Sequence, residues 1–420
     1  MPELLFLLTI LVVLFGTINL IRMTVFLVGS DIYCLKKNRL HLKKFYPLQP
    51  LISIIIPAHN EAGSISRCLK SIFDNNYPKK HIQAIVIDDG SVDDTLYASE
   101  EFAFKNKSNN ITVVHQSNLG KAHALNNGMK NYVKGELAMC LDADSYLDKH
   151  ALSRIARYFE DDKVMAVASN VKIAPAKGLL NLIQQVEYIV CYQMKKAQTT
   201  FNIEYIIGGI GSTFRKSFLD SINYYDANTV TEDIDITMKI LRHGNKNVKV
   251  IYADDVISFT QSAQTIGDLI KQRYRWKWGR AQTFLKNKKM FFSRKKKFTK
   301  SLSWLYLPFA IFSDFAFFFE PILMGFILYV SLILKDYFTL ASAFFIITFY
   351  LEMSIIGEES IAWKSKLKYI LIAPSMYFLF YILSFVEYVA LIKSFINIHN
   401  LNKSLMISRN VWKPVKRFSI

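Results

Sequence analysis

The chain holds little cysteine: four residues in 420, Cys34, Cys68, Cys140 and Cys191, with no Cys-x-x-Cys pair among them. That scatter argues against a disulfide framework and offers no zinc-finger spacing, so free thiols in a reducing compartment are expected. RNA-binding signatures, internal repeats and low-complexity segments are absent, and no Gly-Lys-Ser/Thr follows the right glycines for an NTPase phosphate loop. No small-x-small cleavage site follows the first apolar stretch, and Met-Pro-Glu opens the chain without a basic residue, so a removed signal peptide is not expected. Acidic residues are also in short supply, 34 against 52 lysines and arginines, which leaves a net charge of +18. Such an excess suits nucleic acid or an anionic membrane surface. Placement decides between them, because the basic runs flank apolar spans: Lys36, Lys37, Arg39, Lys43 and Lys44 follow the first, and Arg294, Lys295, Lys296 and Lys297 precede the next. The expected partner is therefore a bilayer with anionic headgroups, and no nucleic acid.

Apolar residues are abundant: half the chain is hydrophobic, with 32 phenylalanines, more than a wholly soluble protein carries. Residues 4–29, 315–334, 338–356 and 369–392 are each long and apolar enough to span a membrane, and 301–312 reads as interfacial. The lysines after the first span put the α/β segment beyond them in the cytoplasm. Three later crossings put the C-terminus outside, whereas Lys393, Lys403, Arg409, Lys413, Lys416 and Arg417 favour inside; both remain open. The expected division is a membrane anchor with basic linker (1–46), a catalytic α/β domain (47–262), amphipathic helices (263–312) and a C-terminal membrane region with basic tail (313–420). Such a layout predicts a multi-pass protein of the cell membrane with a cytoplasmic catalytic domain.

Between the spans, short apolar runs alternate with helical patterns. Residues 51–56 form a continuous apolar run ending at Pro57, the mark of a strand buried on both faces, and strands at 83–87, 111–115, 137–141 and 164–169 alternate with helices. This alternation predicts a doubly wound, mostly parallel α/β sheet, whose ligands lie beyond the carboxyl ends of its strands. Polar clusters stand there. Asp88-Asp89-Gly90-Ser91 can form a tight turn whose carboxylates accept from hydroxyls, or a solvated turn capping a helix. Gly120-Lys121 opens a helix and can meet phosphate. Asp142 and Asp144 close an apolar strand and read either as a surface turn or, because burying like charges there is costly without a cation, as a hard-oxygen site for Mg2+ or Mn2+. Thr231 is a candidate N-cap for a helix whose first turn holds Glu232 and Asp233. Gln272, Arg275 and Trp276 share one helical face carrying an amide, a guanidinium and an indole, suited to a diphosphate and a sugar ring; a basic amphipathic helix on a membrane would look similar.

Six motifs in order, Pro57-Ala58-His59-Asn60-Glu61, the DDGS turn, NLGKAHALNNG, LDADS, TEDID and QRYRW, resemble those of processive, inverting, cellulose-synthase-like glycosyltransferases with a GT-A fold, and most of all bacterial poly-β-1,6-N-acetylglucosamine synthases. The resemblance implies a UDP-sugar donor and a growing polysaccharide or glycolipid acceptor. Asp88 and Asp89 would hold the uridine, Lys121 the nucleotide-sugar, and Asp142 and Asp144 the diphosphate and its Mg2+ or Mn2+. Asp233 would be the general base. Gln272 and Arg275 would close over the nucleotide, with Trp276, Glu232 and Gly209 on the acceptor side. Polymer export and a small accessory membrane protein fit the same picture. Hyaluronan, chitin or glucan synthesis, single transfer to a lipid, and a non-catalytic export subunit are the alternatives.

Overall fold

Among the described residues up to 286, nine α-helices and eight strands build the domain that carries every one of these motifs. The structure, a computed structural model, describes residues 2–41 and 49–404; Lys43, Lys44, the expected boundary at 46/47 and the tail from Arg409 onward lie outside the described residues. Helix α1 (Pro2–His41) leads in. The strands are β1 (Ile52–Ala58), β2 (Ile82–Asp89), β3 (Ile111–Gln116), β4 (Leu137–Cys140), β5 (Tyr146–Leu147), β6 (Val164–Ile173), β7 (Ser212–Arg215) and β8 (Lys249–Thr260). Interleaved are α2 (Ile65–Phe73), α3 (Thr95–Lys105), α4 (Lys121–Asn131), α5 (Ala151–Tyr158), α6 (Leu179–Thr200), α7 (Lys216–Ser221), α8 (Glu232–Leu241) and α9 (Ile266–Lys286).

The apolar run of β1 shows why these strands form the centre. Ile55 joins one core with Ile85, Ile87 and α4, while Ile52, Ile54 and Ile56 join another with α2 and α5. Alternate side chains leave opposite faces of a strand, so a strand apolar on both needs helices on both. The sheet runs β3-β2-β1-β4-β7-β6-β8-β5. β3, β2, β1 and β4 are parallel, as are β6 and β8, whereas β7 lies antiparallel to β4 and β6, and β5 to β8. Because the first four strands are parallel, Ala58, Asp88 and His115 come out side by side at one rim.

Among the described residues, four helices are long and apolar enough to cross a membrane: 6–37 within α1, Ser301–Ile333, Tyr337–Ile356 and Trp363–Ile396. The second is a π-helical turn (Ser301–Tyr306) running straight into α10 (Leu307–Ile333); α11 is Tyr337–Ile356 and α12 is Trp363–Ile396. The interfacial segment expected up to residue 312 is therefore part of an unbroken helix. Pro308 stands just past the π-helical turn, so this unbroken helix runs through a residue that has no N–H to donate.

A buried polar network ties these helices to the sheet. Tyr33 donates to the Tyr252 carbonyl at 2.9 Å, and Lys37 pairs with Asp254 at 2.7 Å. Lys196 donates to the Gly357 carbonyl at 2.9 Å, and Lys172 meets Glu358 at 3.2 Å. Buried charges persist only when paired in this way.

Candidate active site

At the rim, Asp89 uses both carboxylate oxygens inside the protein. Oδ1 accepts from Leu119 N at 3.0 Å and Gln116 Nε2 at 2.7 Å, and Oδ2 accepts from Gly120 N at 2.8 Å. The side chain thus holds the turn that precedes α4. Gly90 closes against that turn with φ +68°, and a Cβ there would stand 2.7 Å from Asn118 N, so no other residue fits. Beside it, Asp88 is fully buried with Oδ2 2.7 Å from His115 Nδ1. Parallel register puts that histidine opposite Asp88; its place at the end of the third apolar run was the available signal, and sequence reasoning passed over it.

The anchored turn delivers Lys121 to a second cluster. Its Nζ lies 2.7 Å from Asp142 Oδ1, at the exit of β4, and 3.1 Å from Glu232 Oε1, in the first turn of α8. Burial works against this ammonium, but Asp142 and Glu232 on either side hold its pKa above the ordinary lysine value. Asp233 follows Glu232. Burial first, and then the Glu232 charge, push its carboxyl up to about 6, against the pull of Lys121 and Arg275. A Cβ on Gly209 would stand 3.0 Å from Lys121 Nζ, so the glycine loop lies against the same cluster.

Helix α9 completes the site by docking on α8. A Cβ on Gly279 would meet Thr231 Oγ1 at 2.2 Å, so the two helices touch where only glycine fits. Thr231 occupies the N-cap position of α8 but makes no side-chain capping bond, unlike the expectation; its hydroxyl is pressed onto α9 instead. Gln282 Oε1 accepts from Val230 N at 3.0 Å, and Lys286 pairs with Asp235 at 2.8 Å. This seam brings Arg275 to a cleft of about 200 Å3 shared with Gly120, Lys121, His123, Thr229 and Glu232. His123 lies within the NLGKAHALNNG motif but is given no role there, and Thr229 belongs to no motif. Lys121, Asp142, Glu232, Asp233, Gly209 and Arg275 thus come together, and Asp88 and Asp89 form an adjoining cluster through the 118–120 turn. Gln272 and Trp276 lie on the α9 face of Arg275, both partly exposed.

Asp142 and Asp144 are the groups that could hold a cation. Among the described residues no set of three or more His, Cys, Asp or Glu is arranged to hold one by itself. Two carboxylates with no imidazole or thiolate nonetheless suit a hard cation that takes its other ligands from water and diphosphate oxygens.

Comparison with known proteins gives this cleft a family. Residues 53–222 match the family model described as glycosyl transferase family 2. A poly-β-1,6-N-acetyl-D-glucosamine synthase of Staphylococcus epidermidis is 34% identical over 292 residues, 67% of each chain. The chain belongs to glycosyl transferase family 2. The synthase of the same name from Staphylococcus aureus (strain MSSA476) is also 34% identical, over 251 residues, and the match spans 57% of that relative's length. Among solved structures, a mannosyltransferase of Pyrobaculum calidifontis, in complex with GDP-Man and Mn2+, superposes with a TM-score of 0.54 at 19% identity, covering 90% of this chain and 96% of that one. The family 2 domain described above therefore has the GT-A fold, joined here to apolar helices.

Proposed function

We propose that this family 2 glycosyltransferase is a membrane-embedded, processive and inverting enzyme that polymerises N-acetylglucosamine from UDP-N-acetylglucosamine into a poly-β-1,6-linked chain. The observation that carries the reading is the Lys121 junction: one ammonium joins Asp142 to Glu232, with Asp233 next in the chain and Arg275 across the same cleft. A carboxylate within electrostatic reach of Lys121 and Arg275, beside a cleft walled by those cations, suits a displacement at a sugar diphosphate. The synthase names of the staphylococcal relatives support the choice of sugar and linkage.

In the mechanism, Asp233 takes the proton of the acceptor hydroxyl as its oxygen attacks the anomeric carbon. The bond from that carbon to UDP breaks, and the configuration inverts. A carboxyl raised to about 6 is ionised near neutral pH yet basic enough to share a proton in the transition state. Charge gathers on the departing diphosphate, where Lys121 and Arg275 stabilise it. Asp142 and Asp144 would hold Mg2+ or Mn2+, which supplies further charge neutralisation when bound. Asp88 and His115 would meet the nucleoside, while Asp89 acts through the turn it holds. Gln272 would close over the nucleotide, and Trp276, Glu232 and Gly209 would receive the acceptor sugar. On this reading the apolar helices cross the cell membrane with residues 47–262 on its cytoplasmic side, and the polymer leaves between them with the help of a small accessory protein.

Asp233→Asn tests the central step: the variant should retain UDP-sugar binding and lose transfer by ~10²–10⁴-fold. Near-normal transfer in that variant would overturn the assignment. Product length on a gel and digestion with linkage-specific hydrolases test processivity and linkage.

A further inference from the structure

Helix α9 has a second polar face. Arg273, Lys277 and Arg280 follow one another at i, i+4 and i+7, about a third of a turn around from Gln272, Arg275 and Trp276. All three cations meet acids from other helices. Arg273 pairs with Glu187 of α6 at 2.7 Å and with Glu387 of α12 at 3.3 Å. Lys277 bridges Glu387 at 3.0 Å and Asp314 of α10 at 2.9 Å, and Arg280 also pairs with Asp314. Glu387 and Asp314 stand within segments apolar enough to cross a membrane. A path for the polymer is one expectation for such acids. Here they are engaged by α9.

The innermost rung reaches the acceptor side. Arg273 is buried, at 6% exposure, and its guanidinium carbon lies 4.3 Å from the centre of the Trp276 ring. An indole on a helix surface has several rotamers open to it. A buried guanidinium clamped by two carboxylates and laid on its π face selects one. We propose that Arg273, held by Glu187 and Glu387, is a positioning residue that fixes the Trp276 indole, so that membrane helix α12 sets the orientation of the acceptor-sugar platform. This rests on the reading of Trp276 as the residue that receives the acceptor.

The full chain in lipid nanodiscs provides the test, with two assays: UDP release from UDP-N-acetylglucosamine without acceptor, and transfer to an N-acetylglucosamine oligosaccharide. Glu187→Gln and Glu387→Gln should leave UDP release and the donor KM unchanged, raise the acceptor KM and lower transfer on the order of tenfold. Arg273→Gln should do the same more strongly, and Arg273→Lys, which keeps a cation over the ring, should recover most of the loss. Equal losses of UDP release and transfer, in Arg273→Lys as well, would reduce the ladder to scaffolding and overturn the proposal, as would an unchanged acceptor KM. Wild-type protein that releases no UDP sinks the functional reading instead. The ladder is then judged by acrylamide quenching of Trp276 in a chain whose other tryptophans are phenylalanine: Glu387→Gln must raise it, and unchanged quenching refutes the clamp.

Discussion

Adding one methyl group at Gly279 should separate the seam between α8 and α9 from the rest of the molecule. A Cβ there would lie 2.2, 2.5 and 2.8 Å from Thr231 Oγ1, Cγ2 and Cβ. Restoring ordinary contact at about 3.5–4 Å moves one helix by roughly 1 Å. Rotating Thr231 cannot relieve the clash, because its Cβ is itself too close. Overpacking of this kind costs about 1–3 kcal/mol. Function should suffer more, because Glu232 and Asp233 begin the displaced helix while Arg275 rides on the other, and a 1 Å error between reacting groups can cost ~100-fold. Gly267, on the same helix, is the control: its Cβ would meet only Thr265 Oγ1 at 3.7 Å, so alanine there should be neutral or gain up to about 1 kcal/mol. The assay is kcat for UDP release with the unfolding midpoint in detergent. Gly279→Ala should lose ~100-fold in kcat for a modest drop in midpoint, and Gly267→Ala neither. If the two variants behave alike, the tight seam does not position the site.

The same geometry sets three other outcomes. In the proposed mechanism Asp233 acts as a carboxylate that burial first, and the Glu232 charge second, push up to about 6, so kcat/KM should fall tenfold per pH unit below that value; Glu232→Gln removes the second of these causes and should move the acid limb lower, so an unmoved limb assigns the titration elsewhere. Chelation should abolish UDP release, with Mg2+ or Mn2+ restoring it, and Asp144→Asn should raise the half-activating cation concentration at least ~10-fold; full activity after exhaustive chelation would remove the metal from the account. Glu358→Gln should cost about 3–5 kcal/mol, since Lys172 would keep its buried charge without a counter-charge 3.2 Å away; an unchanged unfolding midpoint refutes that.

The parallel half of the sheet was legible because β1, β2 and β4 are buried on both faces and say so in largely apolar runs, while the half-exposed edge strand β3 follows the same alternation with helices. In the other half only β6 was legible. β7 is four residues long, too short for any period to register, and it finds its place only between β4 and β6. β8 carries Asp254-Asp255 in mid-strand, which reads as a turn. The fold tolerates them through a bulge: Ser169 pairs with Ala253 while Asn170 pairs with Ile257, leaving 254–256 outside the ladder. Asp254 then turns into the network of Lys37 and Lys196. Among the site residues, Lys121, Asp142 and Asp233 are readable because they follow apolar runs or open helices, whereas the anchoring task of Asp89 depends on backbone N–H groups that no side-chain pattern announces.

The two faces of α9 differ in the same way. Gln272, Arg275 and Trp276 were readable as a constellation because three chemistries share one spacing. The stripe of Arg273, Lys277 and Arg280 has an equally regular spacing, yet its meaning lies in acids on other helices, with Glu187 86 residues away from Arg273 and Asp314 34 from Arg280. A lone acid in an apolar helix is costly in hydrocarbon and needs a partner, but its own sequence context cannot distinguish a sugar from an arginine. With the partners known, the consequence is mechanical: α9 cannot turn about its axis without breaking either the glycine seam to α8 or the ion pairs to α10 and α12. Any movement of α10 or α12 must therefore be carried to Arg275 and Trp276, or be absorbed by stretching pairs now closed at about 3 Å.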